Sequence, residues 1–168
     1  MSKAQIPNLE FQPITLHPIG HVERGAGDEA LSHDELQARP ARIVLDPALT
    51  DGLLGLEAGD DVLVLFWCHR SVGYDLQVHP RGDSSRPLRG VFAVRSPRRP
   101  NPIGVTTVRV RRVEGNVLQV VGLDALDGSP VLDVKAHTAS FDTPYHTWAL
   151  QVGTEPSGSS DPRTRRGT

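Results

Sequence analysis

Short β-branched apolar runs, each closed off by Gly, Pro or Asp-Gly, restrict the folds open to this chain more than any other feature. ARIVL (41–45), DVLVLFWC (61–68), GVTTVRVRRV (104–113), VLQVVGL (117–123) and VLDVK (131–135) recur with turn residues between them. Each is long enough for one strand, and none carries the extended 3.6-residue period of a core helix. The 16 Gly and 14 Pro among 168 residues therefore act as punctuation, not as a low-complexity tract. Asp61–Cys68 is apolar almost throughout, the pattern of a strand buried on both faces. From Gly104 to Val113, Thr106, Val108 and Val110 alternate with Val105, Thr107, Arg109 and Arg111, which predicts one dry and one wet face; Glu114-Gly115-Asn116 then turns the chain back. Ile14–Val22 reads as a strand interrupted by Pro18, and Arg89–Arg95 as another.

Helical signals are sparse. Asp28–Gln37 predicts one short surface helix, with Ser32 and Glu35 spaced as a capping box. Asp46 and Pro47 look like the N-cap and first residue of a helix through Leu49, Leu53, Leu54 and Leu56. With no βαβ alternation and no internal repeat, the fold class is mainly all-β: a small closed or nearly closed β-barrel with one or two short helices. Residues 1–12 read as a loose leading segment, 13–152 as the barrel domain and 153–168 as a disordered Ser/Gly/Pro-rich tail ending in Arg163, Arg165 and Arg166. No apolar run approaches ~18 residues and the start lacks a signal-like core, so neither membrane insertion nor export is expected. The single Cys68 excludes an internal disulfide, and a cytoplasmic location follows.

Charge is distributed unevenly. Between Arg81 and Arg112 nine arginines (81, 86, 89, 95, 98, 99, 109, 111 and 112) face one acid, Asp83, a local +8 in a chain of net charge −2. Such a segment suits an anionic ligand or phosphate backbone. Arg109, Arg111 and Arg112 are accounted for by strand positions facing water; the group from Arg95 to Arg99 points to function.

Common catalytic motifs are missing: there is no G-x-G-x-x-G, no Walker P-loop and no G-x-S-x-G elbow. Of the seven histidines, His17 and His21 have helical i, i+4 spacing, but Pro18 and Gly20 forbid the helix, and no metal site is expected. Cys68 and His69 are adjacent in an extended run, so their side chains diverge; Cys68 is assigned to the core and His69, with Arg70, to a site at the strand's exit. RSPRRPNPIG (95–104) fixes its backbone with three prolines and sets Arg95, Arg98, Arg99 and Asn101 in defined directions before any ligand arrives. LDALDGSPVLD (123–133) places Asp124, Asp127 and Asp133 around a tight turn. One cationic and one anionic loop together suit a ligand carrying both charges.

These two segments, RSPRRPNPIG followed by LDALDGSPVLDVK, resemble the paired signature of the TsaA-like (YaeB, TrmO) family of β-barrel methyltransferases. The likeness runs from about Ile14 to His137 and includes IGHV (19–22) and GLEAGD (55–60). It implies a barrel that binds S-adenosylmethionine near a homodimer interface and methylates the exocyclic nitrogen of N6-threonylcarbamoyladenosine in tRNA, with tRNA held through the Arg81–Arg112 segment. Carried over by position, His69 and Arg70 would border the cofactor. Arg95, Ser96, Arg99, Pro100, Pro102, Gly104 and Val105 would shape its pocket, and Leu126, Gly128 and Ser129 would hold its adenosine. Asn101, Asp127 and Asp133 would be the catalytic set, with His69 a further eligible base. In-line methyl transfer needs alignment and no covalent enzyme intermediate. Gly25–Arg42 lacks the family's arginine–glutamine–proline–glycine pattern, Lys135-Ala136-His137 stands in place of Lys-Pro-Tyr, and the polar tail stands where the tRNA-modifying members carry a further domain. A cofactor- or nucleotide-sensing module without catalysis, a methyltransferase with another acceptor, and a plain RNA-binding barrel are the alternative readings.

Overall fold

The computed structural model describes residues 12–28 and 31–143, so the expectations for the leading segment before 12 and for the tail lie outside the described residues. The chain divides into Met1–Ala136 and His137–Thr168. The first unit contains β1 (Gly20–Glu23), α1 (His33–Ala38), β2 (Pro40–Leu45), a 3-10 helix (Pro47–Leu53), β3 (Asp61–Trp67), β4 (Gln77–Val78), β5 (Arg89–Gly90), β6 (Ile103–Glu114), β7 (Val117–Val121) and β8 (Pro130–Ala136). In the second, a single turn, α2 (Ala139–Asp142), is closed by a hydrogen bond from Thr138 N to Asp142 Oδ2 at 2.7 Å.

Six strands close into a barrel in the order β1-β2-β7-β6-β3-β8, every neighbouring pair antiparallel. Closure explains why a chain this short can use so many β-branched residues safely, since no long strand edge is left to pair with another chain. The interior is filled from alternate positions: Val62, Val64 and Phe66 of β3, Thr106, Val108 and Val110 of β6, Leu118 and Val120 of β7, with Val22, Ile43 and Val131 closing the ring. The period-2 reading of β6 is the observed one.

Four expectations change. β3 is buried on one face only; Leu63, Leu65 and Trp67 are half-buried on the outside. Cys68 follows the strand and is half-buried against the core edge, not inside it. Ile14–Pro18 is not strand: the ladder starts with Ile19 N donating to Val131 O at 2.8 Å, one residue after a proline that has no N–H to offer. At Gly20 the backbones of β1 and β2 come so close that a Cβ would sit 2.3 Å from Val44 O. Arg89–Arg95 pairs only at Arg89–Gly90, with β4; Val91–Ala93 is a 3-10 turn that buries Val91 and leaves Phe92 79% exposed. A closed barrel has no free edge for that segment to join.

The helix starts hold, though α1 covers only His33–Ala38 and the second element is a 3-10 helix that ends at Leu53, short of Leu56. Ser32 caps α1 in a reciprocal capping box with Glu35, and the Asp46 side chain accepts from Ala48 N at 2.9 Å with Pro47 opening the 3-10 turn.

Antiparallel closure also sorts the loops. β1, β3 and β7 end at the mouth where β2, β6 and β8 begin. The connections 24–39, 68–102 and 122–129 therefore share one mouth, and the short β6–β7 hairpin lies at the other end.

Candidate active site at one mouth of the barrel

The two loops singled out by sequence meet at the end of β3. Phe66 lies opposite Gly104 on one side and Val131 on the other, and Cys68 N donates to Pro102 O at 2.8 Å. One residue on, His69 Nδ1 lies 3.2 Å from Ser129 Oγ. Gly104 fits closely here: a Cβ would stand 2.3 Å from the Phe66 ring and force it to shift. Thus β3 delivers His69 between the proline-rich loop and the Asp127-Gly128-Ser129 turn, with Arg70 exposed beside it. The proline-rich loop is braced from the same side. Ser71 Oγ donates to Pro97 O at 2.8 Å, Arg98 Nε to Asp75 Oδ2 at 2.7 Å, and Ser96 Oγ accepts from Arg98 N at 3.3 Å. Arg99 turns inward and donates to Val91 O at 3.4 Å. Pro100 and Pro102 are half-buried while Asn101, Arg95 and Val105 are exposed.

The acidic loop is held by Arg24, which sequence reasoning did not single out. Its Nε donates to Ala125 O at 2.6 Å, Nη1 to Leu36 O at 3.2 Å and Nη2 to Leu123 O, while its backbone N donates to Asp127 Oδ1 at 2.8 Å. Burial lowers the Arg24 pKa from its ordinary value, opposed by the charges of Asp28, Asp124 and Asp127. One guanidinium thereby ties the 24–39 loop to the 122–129 loop, a fork geometry that lysine lacks. No local sequence signal marks it, because all three acceptors are backbone carbonyls supplied by distant segments. Arg39 completes the support with a 2.7 Å ion pair to Asp28, which is buried.

Asp124 occupies the centre of this arrangement. It accepts a hydrogen bond from Thr106 Oγ1 of β6, pairs with His33 Nδ1 of α1 at 3.3 Å and is 18% exposed. Burial pushes the Cys68 thiol pKa up, Asp124 adds to that, and Arg99 and the Gly104 N–H oppose it. Asp127 and Ser129 stand in the same turn, Leu126 is half-buried and Ser129 buried. Asp133 is farther down β8, ion-paired to Lys135 at 2.5 Å and bonded to Val134 N at 2.9 Å.

The +8 segment does not survive folding as a single patch. Acids from elsewhere or alongside pair with Arg81 (Asp34), Arg86 (Asp83), Arg98 (Asp75), Arg109 (Asp61) and Arg112 (Glu114). Arg109, Arg111 and Arg112 run along the outer face of β6, away from its mouth end. Among the described residues, Arg70, Arg89 and Arg95 of the mouth connection have no protein partner. An open cleft of about 370 Å³ beside the 24–39 connection, lined by Glu23, Arg24, Arg42 and Gln119 among others, contains none of the sequence-predicted site residues. Among the described residues no group of His, Cys, Asp and Glu could hold a metal ion.

Residues 32–143 match the model of the tRNA-methyltransferase O N-terminal domain. The chain belongs to this family. A probable S-adenosyl-L-methionine-binding protein of Methanocaldococcus jannaschii is 38% identical over 134 residues, covering 77% of this chain and 96% of that protein. A mouse tRNA (adenine(37)-N6)-methyltransferase is 41% identical over 149 residues, 82% of this chain but 34% of the mouse protein. A crystal structure of TrmO superposes with a TM-score of 0.64 at 32% identity, covering 80% of this chain and 62% of that one. The chain thus spans nearly all of the archaeal relative and less than two thirds of the TrmO structure. Both family signatures read from the sequence lie within the matched span.

Proposed function

We infer that this chain is an S-adenosylmethionine-dependent tRNA methyltransferase whose acceptor is the exocyclic nitrogen of N6-threonylcarbamoyladenosine. The observation that carries the reading is the meeting of the 68–102 and 122–129 connections at the end of β3, with the 24–39 connection tied to the second by Arg24, in a barrel of this family. The donor set fits the cofactor. Arg70 and Arg95, without protein partners among the described residues, suit its carboxylate; exposed loop carbonyls suit a sulfonium, which offers no donor at sulfur. When bound, the cofactor supplies an electrophilic methyl group.

The chain's own task is alignment. His69 and Arg70 border the ligand, the braced 95–105 loop shapes its pocket, and Leu126, Gly128 and Ser129 support the adenosine; Asn101, Asp127 and Asp133 are the polar groups assigned to the acceptor. A reaction of this type gains several kcal/mol from holding two reactants in line. Homodimerisation fits the same surface: the 68–102 connection exposes Val72, Leu76, Leu88 and Phe92, which a second copy would cover. Arg89 and exposed arginines nearby would meet tRNA phosphates, and RNA affinity would then fall steeply with salt.

The test is incubation of the protein with labelled S-adenosylmethionine and unfractionated tRNA, followed by nucleoside analysis. Label in methylated N6-threonylcarbamoyladenosine supports the reading, and Arg95→Ala should abolish it without unfolding the chain. Cofactor binding with no labelled nucleoside would favour a sensing module, and absence of cofactor binding would overturn the assignment altogether.

A further inference from the structure

Resting on that reading, we propose that His33 is the proton acceptor of the methyl transfer and that Asp124 is the residue that positions it.

The argument begins with the bases available at the mouth. Asp127 spends one carboxylate oxygen on Arg24 N, and Asp133 is ion-paired with Lys135 down β8. His69 meets only the Ser129 hydroxyl, which can donate or accept and so leaves the imidazole tautomer undetermined. His33 differs. Its Nδ1 lies 3.3 Å from Asp124 Oδ2, and with the hydrogen on Nδ1 the carboxylate accepts it while Nε2 keeps its lone pair. Among the described residues Nε2 has no protein partner, and the side chain is 56% exposed.

Asp124 is itself fixed. Thr106 Oγ1 donates to Oδ1 from β6, while Oδ2 is the oxygen that faces His33. A rigid strand thus sets the carboxylate, and the carboxylate sets an imidazole carried by a different connection. The charged and titratable groups around this pair are Arg24 from the end of β1, Cys68 and Arg99 from the 68–102 connection, and Asp127 and Asp28 beyond Arg24. Carboxylate–imidazole pairs of this kind orient a base and stabilise the imidazolium that forms when it takes a proton.

The step balances without any further reactant. The acceptor nitrogen forms its bond to the methyl carbon as the carbon–sulfur bond breaks, and that electron pair leaves on sulfur. The proton displaced from nitrogen moves to His33 Nε2 and from there to water at the exposed face. General-base assistance of this type contributes ~10²–10⁴-fold.

The experiment uses the full chain and two variants, His33→Gly and Asp124→Asn. Calorimetry with S-adenosylmethionine comes first, so that failure of the wild type to bind overturns the proposed function and this inference with it. With binding within about twofold of wild type, His33→Gly should lose about 100-fold in kcat, and added imidazole should restore at least a tenth of the rate. Asp124→Asn should lose about tenfold in kcat with little change in KM. A readout independent of turnover is the nitrogen-15 NMR signature of the His33 ring, expected as the Nδ1–H tautomer in the wild type and as a mixture in Asp124→Asn. An Nε2–H tautomer in the wild type, or a kcat loss in His33→Gly that imidazole cannot rescue, would overturn the proposal and reduce the pair to a brace between two loops.

Discussion

Replacing Arg24 by Met would leave the aliphatic stem in place and remove the guanidinium that holds two mouth connections together. Three acceptors would lose their donor: the carbonyls of Ala125, Leu36 and Leu123. These residues are 2%, 4% and 0% exposed, so water cannot replace all three bonds without opening the loop. At about 1 kcal/mol for each lost bond, with a further penalty where a carbonyl stays buried and unpaired, the expected loss is about 3–4 kcal/mol. For a domain of this size that corresponds to a fall in Tm of roughly 10 °C. Arg24→Lys should recover only about a third of the loss, because one ammonium cannot reach acceptors on two loops. Equilibrium denaturation measures the stability, and calorimetry with S-adenosylmethionine should show weakened binding, since Leu126 to Ser129 would no longer be held. A loss below about 1 kcal/mol for Arg24→Met, with cofactor affinity intact, would refute the assignment of Arg24 as the tie between the connections.

Gly20→Ala should cost about 3 kcal/mol, because the new Cβ meets the Val44 carbonyl, whereas Gly104→Ala should cost less, about 2 kcal/mol, because it meets the end of the Phe66 ring, which can yield; denaturation midpoints giving the reverse order would contradict the packing described. Ser32→Ala should remove the capping box and destabilise α1 by about 1 kcal/mol, seen as faster hydrogen exchange at Glu35 and Leu36. The raised Cys68 thiol pKa means less thiolate at pH 8, so iodoacetamide should alkylate it more slowly than in the denatured chain, and Asp124→Asn should speed the reaction; equal rates in all three would contradict the electrostatics. Since the folded state holds this thiol proton more tightly, the group's contribution to stability is complete below the unfolded thiol pKa and declines as pH rises through that value towards the folded one.

The sequence by itself determined that β6 and β7 pair as a hairpin and which residues of β6 face inward, because period-2 alternation, as in Thr106, Val108 and Val110, and turn chemistry, as at Glu114-Gly115-Asn116, are local properties of the chain. It also marked the two loops of the site, since proline and glycine write backbone rigidity directly into the residue order. Three things awaited the fold. Arg89–Arg95 has strand composition, yet only Arg89–Gly90 pairs, with β4, because longer pairing depends on a free edge and the closed barrel leaves none. The nine clustered arginines read as one cationic patch, yet carboxylates distant in sequence, such as Asp34, Asp61 and Asp75, neutralise several of them, and charge balance across a surface is set by what folding brings near. Arg24, Asp124 and His33 acquire their roles only by contact across about one hundred residues of chain or between separate connections, through bonds to main-chain carbonyls and a shared carboxylate that leave no spacing to read.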